Sequence, residues 1–160
     1  MSKRKAYKPK ALSTEAWRIA MQGSMLLSKD DQEARVKPVA EAIEAISQGK
    51  AGKPEWQAVF DCLNMLEQFS RMPKVMRNAT DWVNSMQSVV ISLLSRQKQK
   101  GTKALYPQEL EDLRGLLSLW EEVLSTVTHR EYFKAEEITH HRLTSILRSG
   151  TRGVSVVEVL

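Results

Sequence analysis

The segment HREYFKAEEITHH, from His129 to His141, gathers all three histidines of the chain and three of its acids. Glu137-Ile-Thr-His140 has the E-x-x-H spacing of di-iron carboxylate bundles. Glu136 with His140, and Glu137 with His141, stand one helical turn apart, the separation at which a carboxylate and an imidazole can share a metal. A di-iron centre needs a second E-x-x-H and two further inward glutamates. The chain has no second copy, and its earlier helical segments offer only Glu67 among apolar neighbours. The spacing therefore reads as a polar helix face stabilised by i, i+4 pairs, with no metal and no cofactor expected.

Other chemistry is equally thin. Cys62 is the sole thiol, which excludes an internal disulfide, and its apolar helical surroundings predict a core residue rather than a nucleophile. The sequence QGKAGKP carries two glycines and lysines, but neither the spacing nor the preceding strand of a phosphate-binding loop. G-x-S-x-G and H-E-x-x-H are missing as well. The expectation is a protein that is not an enzyme.

Charge points to the outside of the molecule. Lys3, Arg4, Lys5, Lys8 and Lys10 contribute +5, the whole net charge, and the remaining 150 residues balance 19 cations against 19 acids. A run of this kind can neutralise phosphates and release their counterions, with Tyr7 as a stacking surface. Lys3, Arg4, Lys5, Tyr7, Lys8 and Lys10 are thus candidate nucleic-acid contacts, against the plainer reading of a solvated terminus. Within the balanced body, the span from Arg71 to Lys103 is basic and the span from Glu109 to Glu137 is acidic, so pairing between neighbouring helices or between the subunits of a homodimer is expected. The end of the chain, VSVVEVL, is apolar and rich in β-branched residues, and Val154, Val156, Val157, Val159 and Leu160 are read as an extended partner-binding segment.

The elements between these termini read as helices, because apolar residues recur at three and four rather than at two. Ser13 or Thr14 caps a first helix carrying Trp17, Ile19, Met21, Met25 and Leu26. A second begins after Ser28, with a break or kink expected at Pro38 and a stop at Gly49; its stripe is Val39, Ala42, Ile43 and Ile46. Pro54 opens a third, whose face is Trp56, Val59, Phe60, Leu63, Leu66 and Phe69. The next pattern puts Val75, Trp82, Val83, Met86, Val89, Val90, Leu93 and Leu94 inward and closes at Gly101. From Pro107, Leu110, Leu113, Leu117, Trp120, Leu124 and Val127 form a bundle seam. The spacing breaks at Val127–Arg130, predicting one bent helix or two with a joint, and resumes with Phe133, Ile138, Leu143, Ile146 and Leu147. All four tryptophans fall on apolar stripes and are expected in the core. The fold class is all-α, a bundle of four to six helices over residues 12–150, between a basic tail at 1–11 and an extended apolar tail at 151–160. Apolar runs such as Val89–Ile91 fall far short of the roughly twenty residues of a membrane helix, and the N-terminus has no secretory h-region, so a cytoplasmic location without membrane is expected.

Three stretches, KRKAYKPK, KPVAEAIEAISQGKA and GTKALYPQELEDLRGLLSLW, carry a resemblance, over about half of the chain, to small helical proteins of proteobacterial phages and prophages. The resemblance implies a mobile-element accessory protein and carries over no catalytic residue. The expected function is non-enzymatic binding of a protein or nucleoprotein partner, such as host defence or regulatory machinery. Its rivals are a nucleic-acid-binding regulator acting through the basic tail and a metal-dependent helical-bundle enzyme.

Overall fold

The computed structural model describes residues 14–100 and 104–149, so the basic-tail positions and the Val154–Leu160 positions lie outside the described residues. The described residues form six helices: α1 (Thr14–Ser24), α2 (Lys29–Ser47), α3 (Lys53–Ser70), α4 (Thr80–Lys100), α5 (Pro107–Thr126) and α6 (His129–Ser149). No strand is present among them, and no helix is long and apolar enough to cross a membrane.

Three helices start with one device. A glutamate three residues into the turn reaches back to the backbone N–H of the capping residue: Gly52 to Glu55 at 2.7 Å, Tyr106 to Glu109 at 2.7 Å, Thr128 to Glu131 at 2.9 Å. Proline follows the cap in α3 and α5, where its missing donor costs nothing. The start of α2 is capped instead by Ser28, whose hydroxyl accepts from the Asp31 N–H at 3.1 Å and donates to the Asp31 carboxylate at 2.7 Å. At the other end of α2, Gly49 takes φ 68°, and the bonds from Gly49 to Ile46 and Lys50 to Ala45 close a Schellman turn that suits a residue without a Cβ.

α3 is the hub and packs on α2, α4 and α6, while α5 packs on α2 and α4. Trp56, Val59, Phe60, Leu63, Leu66 and Phe69 are all buried, as their spacing predicts. At the centre, Phe69 of α3 lies with ring centroids 6.3 Å from both Trp120 of α5 and Tyr132 of α6. Trp120 donates its indole N–H to the Arg35 carbonyl at 3.2 Å, tying α5 to α2. Glu67 does the same for polar atoms: Arg142 of α6 at 2.8 Å and Gln87 of α4 at 3.3 Å both donate to it, beside Arg71 on its own helix. The α1–α2 and α5–α6 junctions are joined by backbone bonds, Leu27 N–H to the Val127 carbonyl at 3.2 Å and His129 N–H to the Met25 carbonyl at 3.0 Å.

Several sequence expectations need correction. α2 runs unbroken through Pro38; Ala34 and Pro38 are both exposed, so water can take the carbonyl that the ring leaves unbonded. α4 begins at Thr80, which leaves Val75, Arg71, Lys74 and Arg77 in the preceding connection. Trp82 is 38% exposed and Trp17 55% exposed, so only Trp56 and Trp120 belong to the core. The joint at Val127–Thr128 makes two helices and rephases the second. Tyr132 and Ala135 are buried in α6, whereas Phe133, Ile138 and Leu147 are exposed. Of the expected pairing between the basic and acidic spans, Arg96 with Glu109 joins α4 to α5 within the chain, the guanidinium also stacking 4.3 Å over Tyr106.

Because Phe69 fills a site shared by three helices, Phe69→Ala is expected to lower the unfolding free energy by about 3–5 kcal/mol, read from urea denaturation.

Candidate functional site

Two concave places compete. The first is a cleft of about 440 Å³ between α2, α3 and α6, floored by Val39, Cys62, Met65 and Trp120, with Asp61, Glu136 and His140 among its polar lining. Three of its groups, Cys62, Asp61 and Tyr132, are shifted by burial. Burial, reinforced by the Asp61 charge, drives the Cys62 thiol far above its ordinary value, the opposite of what a nucleophile needs. Burial also raises Asp61, against the Gln57 amide that donates to its carboxylate at 2.9 Å. Tyr132 is raised by desolvation despite the Arg35 guanidinium lying 4.3 Å from its ring centroid. Arg35 is itself engaged, donating to the Asp31 carbonyl at 2.9 Å and facing the Asp31 carboxylate at 3.6 Å. Its Nε is buried without a partner, a cost accepted for the stacking on Tyr132.

The carboxylate–imidazole pairs of α6 do not converge with other ligands. Glu137 and His141 are 3.9 Å apart with both side chains more than 70% exposed, in water rather than at a centre. Glu67, the inward acid of the sequence pattern, has its oxygens taken by Arg71, Arg142 and Gln87. Among the described residues no group of three or more His, Cys, Asp or Glu is placed to hold a metal ion.

The second place is the face built by α1. No residue of this helix is fully buried. Ala16, Ala20 and Gly23 turn toward α6, and Gly23 lets Arg130 lie so close that an added Cβ would sit 3.4 Å from its Nε. Arg130 also donates to the Ala20 carbonyl at 3.2 Å. With small residues making the contact, the large ones are left outside. Trp17, Ile19, Met21, Met25 and Leu26 are all more than half exposed, as is Phe133 across the junction. Between α1 and α6 runs a groove of about 890 Å³, walled by Ile19, Met25, His129, Arg130 and Phe133. Ile19, Met25 and Phe133 meet in this groove, while Trp17 and Met21 are exposed on α1 outside its lining; exposed aromatic residues and methionine are enriched in protein interfaces, methionine supplying adaptable packing. Apolar patches of this density mark binding faces.

Of the residues singled out by sequence, Cys62 lies at the floor of the cleft and His140 and Glu136 line it, while the nucleic-acid and partner-binding candidates lie outside the described residues. The α1 face was missed, because an apolar helical period reads as core. Its signal was the stripe Ala16, Ala20, Gly23, which marks the side of closest helix approach and so assigns the bulky residues elsewhere. Comparison of the chain with protein-family models, curated proteins and solved structures finds no match.

The raised Asp61 carboxyl gives a pH test of the cleft. Below the unfolded carboxylate value of about 3.9 both states are protonated and the residue costs nothing; as pH rises through the higher folded value, its buried charge increasingly destabilises the fold. Asp61→Asn, which keeps the acceptor for Gln57, is expected to raise the urea midpoint at neutral pH and to leave it unchanged near pH 3.

Proposed function

We propose that the protein is a non-enzymatic interaction protein that takes an apolar segment of a protein partner on its α1 face. The observation that carries this reading is a run of ten positions, in α1 and the connection after it, with five large apolar residues, Trp17, Ile19, Met21, Met25 and Leu26, all more than half exposed. An isolated helix of eleven residues is marginal in water, so α1 depends on α6 for its place and offers the rest of its surface. Arg18 on α1 and Arg130 and His129 beside the groove favour a partner segment that carries a carboxylate among its apolar residues. The quiet titratable groups of the cleft fit a role without covalent chemistry. The phage-protein resemblance adds a setting, an accessory protein of a mobile element acting on host defence or regulatory machinery.

The test is affinity capture from the native host with the whole protein and with Trp17→Glu/Met21→Glu. Both positions are exposed, so the urea midpoint should move little, by about 0.5 kcal/mol per site or less. Loss of a specific captured protein from the double variant is the expected outcome. Equal capture by both forms would remove α1 as the binding face.

A second reading is kept by the five cations of residues 1–10. If they grip nucleic acid, mobility shift should weaken steeply with salt, and deleting residues 2–10 should reduce both the affinity and the slope against salt. An unchanged slope would leave the basic run without that role.

A further inference from the structure

We propose that the cleft between α2, α3 and α6 is a binding site for a small organic cation, a protonated amine carried on an aryl or branched aliphatic body. The site goes beyond the reading of α1 as a partner face and shares no lining residue with the α1–α6 groove. It arises from the way the helices are hung on α3. α2 and α6 each pack on that helix, and the Arg35 guanidinium, 4.3 Å from the centre of the Tyr132 ring, spans the gap between them. Ala58 of α3 and Pro38 of α2 line the gap with short side chains. The space left open is about 440 Å³, within the roughly 300–1,000 Å³ of small-molecule sites. Val39, Met65 and Trp120 are buried beneath it, a floor that takes an aryl or alkyl body out of water.

Charge selects the head group. Asp61 lines the cleft from α3 and Glu136 from α6, and among the described residues neither carboxylate is in an ion pair. Asp61 has only the neutral Gln57 amide as its described hydrogen-bond partner, and desolvation raises its carboxyl. An ammonium at this wall returns the stabilisation that the carboxylate loses on leaving water. The guanidinium in the lining does not recruit an anion in its place. Arg35 faces the Asp31 carboxylate at 3.6 Å and donates to the Asp31 carbonyl at 2.9 Å, so its charge is already met. The other basic side chain of the lining, His140, is exposed to water. The charge left to a ligand is that of the two carboxylates, above an apolar floor.

The full chain is titrated with phenethylamine, phenethyl alcohol and phenylacetate, which share one aromatic body and differ in charge. Binding is followed by calorimetry and by the indole N–H resonances of isotope-labelled protein. Expected is saturable binding of the amine, about tenfold tighter than the alcohol or more, with phenylacetate the weakest. Asp61→Asn/Glu136→Gln, its folding checked by the urea midpoint, is expected to abolish that preference and to leave the affinity for the alcohol unchanged. Ala58→Leu, which fills the space, is expected to weaken all three probes. No saturable binding of the amine at millimolar concentration, equal affinity for amine and alcohol, or a preference for phenylacetate would overturn the proposal. A preference that survives in the double variant would overturn it too, as would binding indifferent to Ala58→Leu, which would put the amine on another surface.

Discussion

Everything in this fold depends on α3 being enclosed. Ten of its eighteen residues are buried, and the ring of Phe69 meets Trp120 and Tyr132 at the same 6.3 Å, so one side chain sets the spacing of α3, α5 and α6 at once. Aromatic contacts of this kind add about 0.5–1.5 kcal/mol to the area they bury, and they are directional, which fixes rotation as well as distance. Glu67, on the same helix, fixes α4 and α6 through Gln87 and Arg142.

That enclosure sets the environment of the Cys62 and Asp61 side chains in the cleft beside it. Cys62 is held protonated by the surroundings that make it good core, and Arg35 is committed to Tyr132 and Asp31. A group serving catalysis must keep a lone pair, a proton or a charge in reserve. On the cleft's floor and α2 wall, the Cys62 proton is held by burial and Arg35 is engaged by Tyr132 and Asp31.

The first helix is the exception. It meets the bundle through Ala16, Ala20 and Gly23 and through backbone bonds at the α1–α2 and α5–α6 junctions, both means of attachment that need no large apolar side chain. Its tryptophan and methionines are consequently free for something other than folding.

The sequence determined the helices and most of their inner faces. The N-termini of α2, α3, α5 and α6 are written as local motifs, Glu three residues after the cap or Ser28 before Asp31, and the stripes of α2, α3 and α5 follow from a period that a single segment contains. Cys62 was legible for the same reason. Tertiary structure decided which apolar stripes found a neighbour. Trp17 and Trp56 occupy similar patterns, yet Trp56 meets Phe60 and α2's side of the core while Trp17 faces outward, because α1 approaches α6 on its small residues. It also decided the phase of α6: the joint at Val127–Thr128 restarts the helix, so Tyr132 and Ala135 turn inward and Phe133 outward. Periodicity says that a helix has an apolar side; only the packing of all the helices, which share one limited core, says whether that side is covered.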